Sequence, residues 1–418
     1  MLVALLTIGT EITRGELQNT NTRWLAERIT ESGHTVTEMS TVEDDDTRIK
    51  LTLKRLCQQN EVVICTGGLG PTTDDRTTAC AASVADLTLV RDESALQHIK
   101  ELFRDYGREM SRSNEKQADF PEGAITIENQ LGTARGFSLN IEKATVYFLP
   151  GVPREMRPMF DDSIAPHLPP PLRPTVCIKL RAVGMAEAEI NDRLDGLEAE
   201  YKVTLGYRAS HSEIEIKVLA TSSTRTEANS LAEKVASLVE KRLGSIVYSR
   251  GTTPLAAVIG QILVERGLTL ALAESCTGGL VSGLVTNNSG ASQYYKGGVC
   301  AYSNSVKTSI LQVSTDTLNK HGAVSCEVAR QMVEGVRTVL DADVALAITG
   351  LAGPLGGTKE KPVGLVHWAV TDGTNTVSKH KIFRGTREQI QLRAAIAALN
   401  SVRKLLVTPE QSEKRNQH

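Results

Sequence analysis

The chain has 418 residues, of which 40% are hydrophobic and 23% are charged, with 47 Lys and Arg against 49 Asp and Glu. This length predicts two or three soluble domains. The near balance of charge and the 4% aromatic content argue against a broad surface for binding nucleic acid. No apolar run approaches the roughly 20 residues that a membrane-spanning helix needs.

The seven cysteines form an odd set, and no pair has the CxxC spacing of a zinc or redox site. Several lie in or beside apolar runs, where free cysteine behaves as a small hydrophobic residue. The apolar segment 1–8 has no basic residue, so it resembles a buried first strand more than a signal peptide. We predict a reduced protein located in the cytoplasm.

Short apolar strands alternate with amphipathic helices over the first 165 residues. The predicted order is strand, helix, strand, helix, strand over 2–8, 21–32, 34–41, 47–59 and 61–65, with a further strand at 145–149. The continuous apolar run at 2–8 is typical of a strand that is buried on both faces. The series predicts an α/β domain, residues 1–170, with a parallel sheet covered by helices on both faces.

A proline cluster at 168–174 marks the end of this domain, because it is too stiff and too poor in N–H donors for a helix or sheet. Residues 171–250 are predicted to form a small α+β connector with the order strand, helix, strand, strand, helix, strand. A second α/β domain is predicted over 252–408. The polar tail, 409–418, is predicted to be disordered.

Ser275 follows the predicted strand 268–273 and opens a small-residue turn that leads into a helix. This order places Ser275 at a helix N-terminus, where backbone N–H groups 275–279 are available for a phosphate or an oxyanion. Gly278 and Gly279 let a substrate approach the backbone closely, and we count Thr277 with them as substrate-binding. The alternative is that Ser275 or Thr277 simply caps the helix.

A nucleophilic serine needs a base, and Lys307 is the predicted one. The histidines of this region (His321, His367 and His380) do not lie in segments that resemble catalytic turns. Lys307 follows a predicted strand end and stands near Tyr302, and burial would lower the pKa of its amine enough for it to take a proton. The alternative is an ordinary solvated surface lysine.

Two later segments fit a nucleotide-like substrate. Thr349 ends a buried strand and begins a turn rich in glycine, whose hydroxyl and backbone donors could hold a phosphate or a carbonyl group. Arg384 or Arg387, just before the last helix, could pair with a phosphate. A plain turn and ordinary surface arginines remain the alternatives.

A second glycine-rich turn follows the strand 61–65 in the N-terminal domain. Glycines at the carboxyl end of a strand, followed by a helix start, predict a phosphate or nucleotide site formed by Gly67, Gly68, Gly70, Thr72 and Thr77. Asp74 and Asp75 would repel a phosphate unless a metal ion bridged them, so they are the predicted metal ligands. The alternative is a helix start whose acidic residues complement the helix dipole.

Four motifs resemble the C-terminal domain of the CinA family: AESCTGG (273–279), YSNxxK (302–307), TGxAGP (349–354) and KPVG (361–364). The resemblance implies a nicotinamide mononucleotide deamidase with Ser275 as nucleophile, Lys307 as base and Tyr302 in support. It also implies that the substrate is held by Ser292, Thr349 and Arg387, and that the deamidase needs no cofactor. Thr386 and Gln391 depart from the residues that are usual in the family.

The N-terminal motifs IGTEITRG (8–15), GGLGPTTDDRT (67–77), NQLGTARGF (129–137) and FLPGVPREM (148–156) resemble the N-terminal domain of the same family. That domain is similar to the molybdopterin-binding MoaB/MogA fold, and Arg135 departs from its usual pattern. The resemblance implies an ADP-ribose pyrophosphatase that uses a divalent metal with potassium. Residues 171–250 resemble the KH-like connector of the family, and a homodimer is implied.

The sequence therefore favours a cytoplasmic, bifunctional enzyme of pyridine nucleotide salvage that binds small-molecule nucleotides and neither nucleic acid nor membrane. A second reading keeps the N-terminal domain as a pterin- or nucleotide-binding module without turnover. A third reading is a role in competence or the DNA-damage response, against which the balanced charge argues.

Overall fold

The computed structural model describes residues 1–171, 173–210 and 212–407, so the predicted disordered tail lies outside the described residues. The chain forms two compact units, each described by itself. The first comprises 1–176 with 220–230, and the second comprises 177–219 with the residues from 231 onward. Among the described residues, no helix is both long enough and apolar enough to cross a membrane.

The N-terminal part is an α/β fold. Its strands are β1 (Leu2–Ile8), β2 (Thr35–Val42), β3 (Val62–Thr66), β4 (Leu89–Arg91), β5 (Asp119–Pro121), β6 (Ile125–Ile127), β7 (Gly136–Ile141) and β8 (Ala144–Leu149). Its α-helices are α1 (Thr10–Thr13), α2 (Thr20–Glu31), α3 (Asp46–Gln59), α4 (Thr77–Ala85), α5 (Glu93–Asp105) and α6 (Pro153–Met159). Short 3₁₀ or π segments lie at Arg112–Ala118, Phe160–Ile164 and Ala165–His167.

The main sheet has the order β2-β1-β3-β8-β7-β6, with β2, β1, β3 and β8 parallel and β7 and β6 antiparallel. Alternate residues of β1 point to opposite faces, as strand geometry requires. Ala4 and Leu6 pack with α3, α4 and α5, whereas Val3 and Leu5 pack with α2 and α6. The predicted parallel sheet with helices on both faces is confirmed.

The connector has the predicted order of strands and helices, with two short helices after its first strand, and the C-terminal part is α/β as predicted. The strands are β9 (Thr175–Val183), β10 (Thr204–Ser210), β11 (Glu213–Thr221), β12 (Val247–Arg250), β13 (Leu270–Glu274), β14 (Tyr295–Cys300), β15 (Val344–Gly350), β16 (Leu365–Thr371) and β17 (Thr376–Ile382). The α-helices are α7 (Glu187–Leu194), α8 (Leu197–Tyr201), α9 (Arg225–Leu243), α10 (Leu255–Arg266), α11 (Leu280–Thr286), α12 (Asn304–Ser309), α13 (Thr315–His321), α14 (Cys326–Val339) and α15 (Arg387–Val407). Single 3₁₀ turns lie at Gly244–Ile246 and Ala291–Gln293.

The connector sheet has the order β10-β11-β9-β12, and the C-terminal sheet has the order β14-β13-β15-β16-β17. In the latter, β14, β13 and β15 are parallel, whereas β16 and β17 are antiparallel additions. Leu270 and Leu272 of β13 pack with α10, α11 and α15, and Ala271 and Ala273 pack with α14 on the other face. Because β13, β14 and β15 are parallel neighbours, their carboxyl ends lie side by side at one edge of the sheet.

Candidate active site

Three segments with polar side chains meet at that edge. Ser275 follows β13 directly, Tyr302 comes two residues after β14, and Thr349 is the penultimate residue of β15. The register pairs Glu274 with both Cys300 and Ile348, so the three strands end side by side. Parallel strands connected by helices bring residues that are distant in sequence to the same edge.

The amine of Lys307 contacts the hydroxyl of Ser275. Lys307 lies on α12, and its Nζ donates to Ser275 Oγ at 3.0 Å and to the carbonyl oxygen of Ala301 at 2.6 Å. A longer bond of 3.4 Å reaches the carbonyl oxygen of Tyr302. Lys307 is only 1% exposed and Ser275 is 8% exposed. The alternative of a solvated surface lysine is therefore wrong.

Burial sets the acid–base character of this amine. Desolvation lowers the pKa of Lys307 below its ordinary value, because a low-dielectric surrounding disfavours the ammonium form. Within the described part of the chain, no carboxylate forms an ion pair with Lys307 that would offset this effect. When neutral, the amine can keep its N–H groups on the two carbonyls and turn its lone pair toward the Ser275 hydroxyl.

The Glu274 side chain accepts hydrogen bonds from backbone amides at the start of α11, a helix end that was predicted to be free for a substrate. The helix α11 begins only at Leu280, so Ser275 precedes it by a full turn. The buried carboxylate of Glu274 accepts the backbone amides of Gly279 and Val281, each at 3.0 Å. The predicted placement of Ser275 at a helix N-terminus is thus wrong, because α11 starts five residues later and the Glu274 side chain satisfies amides of its first turn.

Few of the amides in 275–279 remain available to a substrate. Ser275 N donates to the carbonyl of Ile348 at 3.0 Å, and Gly278 N donates to the carbonyl of Ser275 at 3.1 Å. Among the described residues, the amides of Cys276 and Thr277 have no such partner. The Thr277 hydroxyl is also buried without a hydrogen-bond partner in that set. These groups belong to the two residues that directly follow Ser275.

An exposed aromatic ring and an arginine lie beside this turn. Arg387 Nη2 donates to the hydroxyl of Tyr302 at 3.0 Å, and its Nη1 donates to the carbonyl oxygen of Gly353 at 2.6 Å. Tyr302 is 64% exposed, and its contact with Lys307 is made by its backbone carbonyl rather than its ring. Arg387 has no carboxylate partner among the described residues, so its charge is free to meet an anion.

The other predicted substrate residues take different positions. The Thr349 hydroxyl is buried and donates to the carbonyl oxygen of Ala323 at 2.7 Å, which leaves its oxygen able to accept. Ser292 is exposed and precedes β14, whose first residue pairs with Leu270 at the amino end of β13. The structure therefore brings Thr349 to the edge where Ser275 lies and leaves Ser292 at the opposite edge.

The predicted N-terminal site is a cavity of about 540 Å³ in the first unit. The predicted residues Gly67, Gly68, Gly70, Asp74 and Asp75 line it. The backbone at Gly67 has a φ of 99°, and a Cβ there would collide with the carbonyl oxygen of Ile8. Only glycine fits this turn.

The two predicted threonines bond inside the protein. The buried hydroxyl of Thr77 donates to the carbonyl oxygen of Gly67 at 2.9 Å. Thr72 donates from its amide to Asp75 at 2.8 Å and from its hydroxyl to Asp74 and Asp75. Neither Thr72 nor Thr77 lines the cavity, because each completes the turn instead.

The charge of the cavity lining is acidic. Its charged lining residues are Glu11, Asp44, Asp74, Asp75 and Glu155, and no lysine or arginine is among the described lining residues. No group of three or more His, Cys, Asp or Glu side chains in the described ranges is arranged to hold a metal ion. Asp74 and Asp75 both accept from the Thr72 hydroxyl, and their role as metal ligands stays a prediction.

Family models match almost the whole chain. The CinA C-terminal domain matches 252–406, a probable molybdopterin binding domain matches 4–170, and the damage-inducible protein CinA KH domain matches 179–249. A CinA-like protein of Geobacter sulfurreducens is 39% identical over 414 residues, which cover 98% of this chain and 100% of that protein. The chain belongs to the CinA family.

Further relatives of this CinA-family chain carry related names. A putative competence-damage inducible protein of Halothermothrix orenii is 38% identical over 391 residues, covering 93% of this chain and 95% of that protein. The solved competence/damage inducible protein CihA from Agrobacterium tumefaciens is 38% identical, with 37% of this chain and 98% of that chain covered and a TM-score of 0.36. In the CinA-family chain, Ser275 and Lys307 lie in the C-terminal match, and the acidic cavity lies in the molybdopterin-type match.

Sequence reasoning missed two residues of the site in this CinA-family chain. Glu274 received no role from the sequence, although an acidic residue at the end of a buried strand signals a carboxylate with internal partners. Gln391 was noted only as a departure, yet its Nε2 donates to the carbonyl oxygen of Cys276 at 2.7 Å. Its spacing of four residues from Arg387 places both side chains on one face of α15, which is the signal that could have found it.

Proposed function

We propose that this CinA-family chain is an amidohydrolase that converts nicotinamide mononucleotide and water to nicotinic acid mononucleotide and ammonia. The observation that carries the proposal is the 3.0 Å contact between a buried lysine amine and a buried serine hydroxyl. A lysine whose pKa is lowered by burial can act as a general base for serine. The family resemblance supports the choice of substrate, and the contact supports Ser275 as nucleophile and Lys307 as base.

The reaction proceeds in two halves. The Lys307 amine takes the proton of Ser275, and Oγ attacks the carboxamide carbon to form a tetrahedral oxyanion. The amides of Cys276 and Thr277, which donate to no backbone carbonyl among the described residues, donate to this oxyanion. Collapse breaks the C–N bond, and the Lys307 ammonium gives its proton to the departing nitrogen, which leaves as ammonia. Water, deprotonated by Lys307, then attacks the acyl-serine and releases the carboxylic acid with Ser275 restored.

Arg387 is the proposed contact for the phosphate of the substrate. Its guanidinium is held between Tyr302 and Gly353 and keeps an uncompensated positive charge near the turn. Arginine suits this role because its planar donors match two phosphate oxygens at once. Thr349 and Thr277 are proposed to contact the substrate nearer the carboxamide, because both follow strand ends at the carboxyl side of the sheet and Thr277 has a buried hydroxyl without a partner among the described residues. Ser292 is not proposed as a substrate contact, because it precedes β14 at the far edge.

Ammonia release from nicotinamide mononucleotide by the full chain tests the function. Ser275→Ala should lose at least about a thousandfold in kcat, since removing the nucleophile leaves only residual stabilisation by the turn. Ser289→Ala, an exposed serine after α11 and away from Ser275, is the matched control and should keep full activity. Undiminished activity of Ser275→Ala, or an inactive wild-type protein, would contradict the proposal.

We propose a second, binding function for the N-terminal cavity, because its lining is acidic. The Asn21 Nδ2 donates to the carbonyl of Gly151 at 2.7 Å, while its buried Oδ1 has no partner in the described residues. Acceptors of this kind favour a pterin or the sugar and base of a nucleotide over a bare phosphate. Equilibrium dialysis of the full chain with ADP-ribose tests binding, and an assay for AMP tests turnover. Dependence on a divalent metal or potassium stays a prediction, checked by adding each cation.

We also propose a cytoplasmic homodimer that binds neither nucleic acid nor membrane. The balanced charge of the chain supports the first exclusion, because phosphate backbones need a basic surface. Sedimentation measures the oligomeric state, and a gel shift at low salt tests for DNA. A salt-dependent shift would instead favour the competence or damage-response reading.

A further inference from the structure

The first turn of α15 contacts the active-site turn through a glutamine. Gln391 is half-buried, and its Nε2 donates to the carbonyl oxygen of Cys276 at 2.7 Å. Four residues earlier on the same face, Arg387 holds Tyr302 and Gly353. One helix face therefore contacts segments that surround Ser275 from different directions.

The contact of Gln391 fixes the orientation of a whole peptide unit. The peptide between Cys276 and Thr277 is planar, so its N–H points opposite to its C=O. With the Cys276 carbonyl held toward α15, the Thr277 amide is directed to the other side of the turn. That amide is one of the two in 275–279 with no partner among the described residues.

Backbone hydrogen bonds hold the residues on either side of this peptide: Gly278 N donates to the carbonyl of Ser275 and Leu280 N donates to the carbonyl of Thr277, each at 3.1 Å. On one side, Ser275 N is bonded to the carbonyl of Ile348 at the end of β15. On the other side, Gly278 and Gly279 have φ values of 61° and 99°, a region that glycine adopts without steric strain. Among the described residues, Gln391 Nε2 is the donor that reaches the Cys276 carbonyl oxygen, so its loss would leave that end of the Cys276–Thr277 peptide without a hydrogen bond.

We propose that Gln391 is a positioning residue that aims the Thr277 amide at the oxyanion formed during amide hydrolysis. The inference rests on the proposed deamidase function and adds a residue to it. Gln391 does not touch the reacting atoms, and it acts through the peptide that it anchors. Its loss should slow the chemical step and leave binding of the ground-state substrate nearly unchanged, because the oxyanion exists only after attack.

Glutamine substitutions on α15 provide a matched test. Gln391→Met keeps the length of the side chain and removes the donor, and Gln391→Glu replaces the donor with a carboxylate that repels the Cys276 carbonyl. Gln389→Glu is the control, because Gln389 Oε1 only accepts from Thr386 N at 3.1 Å and a carboxylate keeps that role. We expect both Gln391 variants to lose about tenfold to a hundredfold in kcat with KM changed less than threefold, and Gln389→Glu to match wild type.

The outcomes separate this inference from the proposed function. If the wild-type chain releases no ammonia from nicotinamide mononucleotide, the proposed function fails first. If the wild type is active and Gln391→Met keeps its kcat, the positioning role of Gln391 is overturned while the function stands. A rise in KM that equals the loss in kcat/KM, or a fall in the unfolding midpoint that accounts for the loss of activity, would also overturn it.

Discussion

One carboxylate oxygen of Glu274 accepts both the backbone amide of Ser282 at 2.8 Å and its hydroxyl at 2.7 Å. Tyr295 extends this contact by donating its hydroxyl to Ser282 Oγ at 2.8 Å. The residue before the nucleophile thus ties the end of β13 to the first turn of α11. Hydrogen bonds within the protein therefore hold the turn that carries Ser275 at both ends, and no substrate is needed to order it.

Glu274→Gln is expected to destabilise the C-terminal unit. The amide places an N–H₂ group against backbone donors, and hydrogen bonds to a charged group contribute about 1.5–3 kcal/mol. The chain has two tryptophans, so in a Trp24→Phe background the fluorescence of buried Trp368 reports this unit alone in urea titrations. Glu265→Gln, an exposed glutamate on α10, is the control. Equal midpoints for the two variants would contradict the role of Glu274.

Lys307→Met is expected to abolish ammonia release and to stabilise the fold. Methionine fills the same space without the desolvation of a buried ammonium, so we expect a gain of about 1 kcal/mol near neutral pH. Because the folded pKa of Lys307 is lowered, the folded state loses its proton first as pH rises. Wild-type stability then rises relative to the variant between that folded pKa and the ordinary value of 10.5, so the advantage of Lys307→Met should shrink over this range. If the stability advantage of Lys307→Met over wild type grew with pH, the pKa of Lys307 would be raised by folding instead of lowered.

The pH dependence of the wild-type activity reports the same group. The neutral amine is the base, so kcat/KM should rise with pH through the lowered pKa of Lys307 and level off below pH 10.5. Steady-state ammonia release across a buffer series measures the limb. If the midpoint of the rise in kcat/KM lies at or above the ordinary lysine pKa, burial does not make this amine a better base at lower pH.

Arg387→Gln is expected to raise KM for nicotinamide mononucleotide about tenfold to a hundredfold, the loss of one charge-assisted contact. Nicotinamide riboside, which lacks the phosphate, should be affected far less. Arg384→Gln, an exposed arginine three residues earlier, is the matched control. Equal losses for the two substrates would mean that Arg387 acts through Tyr302 or Gly353 instead of the phosphate.

Gly67→Ala is expected to destabilise the N-terminal unit by more than about 1 kcal/mol. The new Cβ would meet the carbonyl oxygen of Ile8 in a backbone conformation with positive φ. Gly123→Ala is the control, since Gly123 also has a positive φ of 80° but open space around it. Trp24 fluorescence in a Trp368→Phe background follows this unit, and equal losses for both variants would attribute the effect to φ alone.

The sequence by itself determined the layered α/β architecture and the segments that carry the chemistry. Continuous apolar runs such as 2–8 and 268–273 are dictated by burial on both faces, and that signal is local enough to read without coordinates. Ser275 and Lys307 were each identified beside a strand end, and strand ends gather at one sheet edge. The sequence alone could not distinguish a nucleophilic Ser275 from a helix cap, or a basic Lys307 from a surface lysine.

Only the tertiary structure decided which of these residues meet. The Ser275–Lys307 contact joins residues 32 apart in sequence, and the lowered pKa of the lysine arises from burial by segments that spacing does not reveal. Of the amides in 275–279 that local reasoning had left free, Glu274 takes that of Gly279, and Ser292 lies at the amino ends of the strands. Distances, burial and hydrogen-bond partners depend on how distant segments pack, and a linear pattern does not contain that information.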